Sequence, residues 1–154
     1  MPELRGELVF TLEGQVDFNS VHQLGDTPVG SRLVGGIAGG SFEGPRIRGE
    51  ILPGYGDWMI VRPDGVRIGD IRMALRTHDG EIILVSYRAV MKVSPEVHAS
   101  VRAGERVDES EYYLRSAPVF ETASTDYGWL NEIVSVGIGT LTQAGFTNTV
   151  FAVL

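Results

Sequence analysis

The sequence predicts an all-β chain, an antiparallel β-barrel that is closed or nearly closed and carries one short helix. Three observations lead there. The 154 residues contain 20 glycines, spread over the whole length, and they punctuate short apolar runs in the manner of strands joined by tight turns. Nine such runs are found, with helix-start signals at a single place, which argues against an alternating strand–helix fold. Two adjacent pairs of runs are joined by residues with strong hairpin chemistry.

The candidate strands, in order, are Leu4–Leu12, Ser31–Ala38, Pro45–Leu52, Asp57–Arg62, Arg67–Thr77, Glu81–Arg88, Glu111–Glu121, Glu132–Thr140 and Phe146–Val153. Between the first two, Gly14–Gly30 reads as a long irregular connection. Pro63-Asp64-Gly65 makes a turn, with proline's fixed φ first and glycine free to take the left-handed position. His78-Asp79-Gly80 supplies an Asp-Gly turn, so Asp57–Arg88 forms a three-stranded meander. The helix begins with Ser94 as N-cap and Pro95 at its first position, and Gly104 closes Val97–Ala103. No repeat, low-complexity tract or composition break divides the chain, and residues 1–154 read as one domain.

Register follows from the turns. A two-residue Asp79-Gly80 turn sets Leu75 opposite Leu84, Met73 opposite Ser86 and Arg72 opposite Tyr87. A three-residue Pro63–Gly65 loop sets Ile60 opposite Ile68 and Trp58 opposite Asp70. Because strand side chains alternate, Trp58, Ile60, Asp70, Arg72, Val85 and Tyr87 then share one face. Met59, Val61, Ile71, Met73, Leu75 and Leu84 share the other, cleaner apolar face. The mixed face suits either a ligand wall or an outer surface covered by a neighbouring subunit.

Composition excludes several classes. A 43% hydrophobic and 21% charged chain is built like a globular domain, and its length suffices for a real core. Without cysteine there is no disulfide, thiolate ligand or thiol nucleophile. The net charge of −7 disfavours nucleic acid and anionic membranes, which attract concentrated positive charge. The N-terminus Met1–Phe10 lacks a basic-then-apolar run, so a cytoplasmic location is expected. Lys92 is the only lysine among 13 basic residues, which leaves Lys92 or the N-terminus for any Schiff base.

No phosphate loop, H-E-x-x-H or G-x-S-x-G motif occurs. The Gly35-Gly36-Ile37-Ala38-Gly39-Gly40 cluster lacks dinucleotide spacing and reads as a sharp strand bend or a close backbone approach. His22, His78 and His98 are scattered without metal-ligand spacing, so neither a metal nor a cofactor is expected. Carboxylates, arginines and phenols remain. Asp57 reads either as a proton-transfer group beside an apolar wall or as a turn residue bonded to nearby amides. Tyr55, in the glycine-rich segment before it, and Tyr113 are candidate substrate contacts, and aromatic residues of this kind also anchor subunit interfaces.

From about Thr27 onward the chain resembles domain of unknown function 3237, also called uncharacterised protein family 0311. The resemblance rests on Thr27-Pro28-Val29-Gly30-Ser31-Arg32, Gly39-Gly40-Ser41-Phe42-Glu43-Gly44-Pro45 and Gly49-Glu50-Ile51-Leu52-Pro53-Gly54. It continues through Gly56-Asp57-Trp58, Arg62-Pro63-Asp64-Gly65, Arg72, Asp79-Gly80, Tyr113-Leu114-Arg115, Phe120-Glu121-Thr122 and Tyr127-Gly128-Trp129-Leu130-Asn131. It implies a compact antiparallel barrel and includes Asp57, Trp58 and Arg72 in the family pattern. The chain departs from that pattern at Tyr55 and at Arg88-Ala89, where the family tends toward glycine.

The function expected from these residues is that of a cofactor-independent lyase, hydratase, isomerase or cyclase acting on a small, largely apolar molecule in the barrel cavity. Asp57 would move the proton, Arg72 and Tyr87 would stabilise oxyanion charge, and Trp58, Tyr55 and Tyr113 would contact substrate. A non-catalytic binding barrel and a structural homo-oligomer are the alternatives. Apolar residues on both faces of Ile82-Ile83-Leu84-Val85 lead us to expect a homo-oligomer, most simply a dimer.

Overall fold

A computed structural model describes residues 1–154. Ten strands run in chain order: β1 Gly6–Thr27, β2 Gly30–Glu43, β3 Arg48–Ile51, β4 Gly56–Val61, β5 Arg67–Thr77, β6 Ile82–Lys92, β7 Tyr113–Ser116, β8 Val119–Glu121, β9 Ser135–Leu141 and β10 Gly145–Val153. A single α-helix, α1 (Pro95–Arg102), follows β6, and no helix is long and apolar enough to cross a membrane. Every pairing is antiparallel. The pairings close a ring in the order β1–β10–β9–β7–β6–β5–β4–β2 and back to β1. This is the antiparallel barrel the glycine punctuation predicts. β3 bridges β2 and β5 at one end, and β8 adds to β6.

The helix forms where its caps place it. Ser94 accepts the Val97 amide at 3.1 Å, Pro95 occupies the first turn, and Gly104 lies just beyond with φ +81. The β4–β5 turn also follows its chemistry. Arg62 and Val66 close a three-residue loop, Gly65 takes φ +85, and Ile60 pairs with Ile68.

Three expectations need correction. Gly14–Gly30 is no irregular connection, because β1 continues to Thr27 and pairs with β2 across a tight turn at Pro28-Val29. Its alternation is hidden in sequence by register breaks between Gln15 and Val16, Asp17 and His22, and Gln23 and Gly25, each of which changes the face a residue meets. Glu111–Glu121 is two strands rather than one. Pro118 has no N–H for the ladder, and the chain shifts there from pairing with Ala89–Lys92 to pairing with Leu84–Ser86.

The third correction concerns the β5–β6 turn, which is a three-residue loop. The Thr77 amide donates to the Glu81 carbonyl at 2.9 Å, and the Glu81 amide donates to Thr77 Oγ1 at 2.8 Å. Tyr127 Oη donates to Asp79 at 2.9 Å and fixes the loop from outside. Leu75 therefore pairs with Ile83, and Ile71 with Tyr87. A slip of one residue turns every β6 side chain to the opposite face. Val85 and Tyr87 move inward, while Ile82 and Leu84 stand outside.

One end of the bore is solid. Phe10, Leu12, Met73, Leu75, Ile83, Leu130 and Val150 are almost fully buried there, and Phe10 packs against Phe42 and Phe120 at ring distances of 5.4 and 5.8 Å. At the other end the side chains do not meet across the barrel, and a cavity remains.

Candidate functional site

The cavity has a volume of about 390 Å³, and its walls come from all eight ring strands, β1 contributing through its later part from Val16 to Gln23, together with His98 and Arg102 of α1. Ile37, Ile71 and Tyr87 belong both to its lining and to the core, so they form its floor. Along β5 the inward residues step from Arg67 through Gly69 to Ile71. Along β6 they step from Met91 through Ala89 to Tyr87. α1 follows the end of β6, so Arg67, Met91 and α1 mark the mouth.

Glycine shapes the wall around the floor. A Cβ on Gly56 would lie 2.1 Å from the Gly35 carbonyl oxygen, so β2 and β4 approach more closely than side chains allow. The Gly36 amide donates to Ser20 Oγ at 2.7 Å. The glycine cluster in β2 thus serves close backbone approach and bending, as its spacing suggests, and Gly40 takes φ +144 with its α-hydrogens against Glu13.

Asp57 lies on β4 beside Gly56 and points inward. Its partner on β5 is Ile71, whose own partner on β6 is Tyr87, so the three stand abreast. Two strand spacings separate the Asp57 and Tyr87 backbones, about 10 Å. The Asp57 carboxyl accepts the Asp70 amide at 3.0 Å. Burial pushes its pKa up to about 6; the Asp70 amide partly opposes this, and the Asp70 charge adds to it. The Tyr87 phenol is held well above its usual range, first by burial and then by the Asp57 charge, so it stays protonated at any ordinary pH. Asn148 on β10 stands near Tyr87 and bonds Ser116 Oγ on β7 through Nδ2 at 2.9 Å. Gly137 between them has no room for a side chain, since a Cβ there would lie 2.3 Å from both polar groups.

A second polar group occupies the mouth. Arg67, His98 and Arg102 all line the cavity, and the arginines hold the His98 imidazole below its usual range together with burial, the larger cause. Arg102 lies 4.6 Å over the Phe18 ring and is itself lowered by burial and by Arg67. No three metal-ligating side chains gather anywhere in the chain.

Of the residues singled out in the sequence, Asp57 and Tyr87 face the cavity together. The inferred register put them on opposite faces, and the slip of β6 unites them. Arg72 and Trp58 are on the outer face, as β4–β5 alternation requires, and the Trp58 carbonyl accepts from Arg32 there. Tyr55 is exposed in the loop before β4, and exposed Tyr113 lies under the Arg115 guanidinium. None of these four lines the cavity. Arg67, Arg102 and Asn148 are not among the residues the sequence marks, and His98 is marked there only as a histidine without metal-ligand spacing. Arg67 was legible from the inward phase of Gly69 and Ile71, and His98 and Arg102 from their i, i+4 spacing on one helix face. Asn148 carried no local signal.

Fold and cavity together define a small antiparallel barrel, packed at one end and hollow at the other. The chain belongs to the family described as "Protein of unknown function (DUF3237)", whose profile matches residues 5–153. A UPF0311 protein from Clostridium acetobutylicum is 39% identical over 105 residues, a match spanning 68% of this chain and just under two thirds, 66%, of that relative. The crystal structure of a conserved protein of unknown function from Rhodopseudomonas palustris superposes with a TM-score of 0.89 at 30% identity over 100% of both chains. A "beta-barrel like protein" from Acinetobacter baumannii gives 0.85 at 30% identity, covering 100% of this chain and 98% of that one. An enzyme from Penicillium herquei shares the fold at a TM-score of 0.73, with 18% identity over 100% of this chain and 98% of its own.

Proposed function

We propose that the protein is a cofactor-independent enzyme of the lyase, hydratase, isomerase or cyclase type, moving a proton on a small, largely apolar molecule held in the barrel cavity. The observation that carries this reading is the pair at the cavity floor: a carboxyl with its pKa lifted to about 6 and a permanently protonated phenol. Asp57 as carboxylate takes a proton from a substrate C–H or O–H and becomes the neutral acid. The electron pair left behind settles on a substrate oxygen, which accepts a hydrogen bond from Tyr87 or from the Asn148 amide. Asp57 then returns the proton to a different substrate atom and is a carboxylate again. For an isomerisation or cyclisation the cycle balances without an outside reactant; a hydration adds one water, and a lyase step releases the leaving group with the returned proton.

The Penicillium herquei relative is described as an enzyme, which supports catalysis as a use of this fold and says nothing of substrate at 18% identity. The protein's place of work in this reading is the cytoplasm, as a homodimer joined through the apolar residues that β6, β8 and β9 turn outward.

Incubation of a panel of cyclic ketones, enols and phenols in D2O tests the reading, with mass spectrometry for deuterium uptake or rearranged product. Turnover is expected to rise with pH through about 6 and then level, since the base form of Asp57 is needed. Asp57→Asn should abolish it, and Tyr87→Phe should cost on the order of 10²–10³ in rate at most. Ligand binding without turnover across the panel would reduce the protein to a binding barrel.

A further inference from the structure

Arg67, His98 and Arg102 come from two separate elements, the first residue of β5 and one face of α1, yet they meet at the same mouth. All three are half-buried. The chain has 20 acidic residues against 13 basic ones, so carboxylates to neutralise this group are plentiful. None is placed there. The ion pairs of the molecule are Arg62 with Asp64, Arg76 with Glu50 and His78 with Asp79, all elsewhere on the surface. Asp57 is the only acidic residue lining the cavity, and it lies at the floor. Four residue steps along β5 separate Arg67 from Ile71, the partner of Asp57, which puts the two levels about 13 Å apart.

Arg102 is also held in place. Its guanidinium carbon lies 4.6 Å over the Phe18 ring, and Nη1 donates to the Gln143 carbonyl at 3.4 Å. The ring contact and this one bond leave most of the five guanidinium N–H donors free. Half-buried guanidinium groups without a counter-charge are costly, and a planar fork of N–H donors matches a carboxylate in two parallel hydrogen bonds.

We propose that the cavity takes an apolar carboxylic acid, whose carboxylate is bound at the mouth by Arg67, His98 and Arg102 while its apolar body runs inward past Met59 and Gly69 toward Asp57. This rests on the reading of the cavity as a substrate site and names the class of substrate. The arrangement also sets an order: the anionic end stays at the mouth, and the proton moves at the far, apolar end of the molecule. Charge at the mouth and chemistry at the floor are separate tasks on separate residues.

Two probes of one shape decide the matter: 2-naphthoate and the uncharged 2-naphthalenemethanol, titrated calorimetrically against the full chain. 2-Naphthoate should bind about tenfold tighter or more, the worth of one charge-assisted hydrogen-bond set. Arg67→Gln and Arg102→Gln should each remove most of that preference and leave the alcohol's affinity within about twofold. Equal affinities in the unmodified protein overturn the proposal without any variant being needed. So do equal losses for both probes in the arginine variants, and so does binding of neither probe. Asp57→Asn separates the two readings, because it should end deuterium exchange and leave 2-naphthoate bound no more weakly. Exchange activity on neutral compounds, with no preference for 2-naphthoate, would keep the enzyme and discard the acid.

Discussion

Above pH 6 Asp57 holds its charge against Ile71 and the rest of the cavity floor, whereas in the unfolded chain the same carboxyl, ionising near 3.8, holds it in water. The folded state thus binds the proton more tightly than the unfolded one. Stability then falls as pH rises from about 4 to about 6, and it stays lowered above that. A rise from 3.8 to about 6 is worth about 3 kcal/mol as an upper bound, since the cavity admits water. Asp57→Asn removes the charge and keeps an oxygen to accept the Asp70 amide. Urea denaturation at pH 8 should therefore show the variant more stable by about 1–3 kcal/mol, with the difference shrinking at pH 4. A turn aspartate would behave in the opposite way, losing stability on substitution at both pH values. The residue was legible in the sequence as a carboxylate beside glycines and an apolar wall. Its alternatives could not be separated there, because they differ in burial and burial comes from β5 and β6.

The β5–β6 hairpin shows what a strand pattern leaves open at the scale of elements. Ile82-Ile83-Leu84-Val85 is apolar at every position, so alternation gives no phase, and the turn alone decides which pair faces in. The Asp-Gly dipeptide suggests a two-residue turn. The buried Thr77 hydroxyl overrides it by bonding the Glu81 amide and the Asp79 carboxyl, which extends the loop by one residue. β4, β5, the Pro63–Gly65 loop and α1 were readable because each is governed by local chemistry. The course of β1 beyond Gly14 and the split at Pro118 depend on partners far along the chain. Thr77→Val keeps the side-chain shape and leaves the Glu81 amide without its acceptor, so it should destabilise the protein by about 1–3 kcal/mol in urea unfolding. Thr77→Ser keeps the hydroxyl and should recover most of that loss. Equal losses in both variants would mean that packing of the methyl group, rather than the hydroxyl bonds, holds the turn.

As a whole molecule the barrel divides its tasks between two ends and two faces. Aromatic and aliphatic side chains fill one end, which leaves the other free to be hollow without loss of the fold. The same slip that brings Tyr87 inside sends Ile82 and Leu84 outside, where both are exposed. Val119 on β8 and Val136 and Ile138 on β9 are exposed as well. These strands lie side by side: Ser86 pairs with Val119, and Ser135 Oγ at the start of β9 donates to the Pro118 carbonyl at 2.6 Å. The outward apolar residues of β6, β8 and β9 thus adjoin one another, and β8 has a pairing partner on only one side. Scattered apolar surface residues need no explanation, but a contiguous set across three neighbouring strands suits an isologous contact between two copies. Sedimentation velocity at tens of micromolar should then give a species of about 33 kDa, twice the 16.7 kDa chain. The double substitution Leu84→Glu and Val136→Glu sets four carboxylates against one another across such an interface, and it should return a single-chain species with an unchanged circular dichroism spectrum. An unmodified protein that sediments near 17 kDa at these concentrations removes the dimer, and it leaves the cavity to one barrel acting alone.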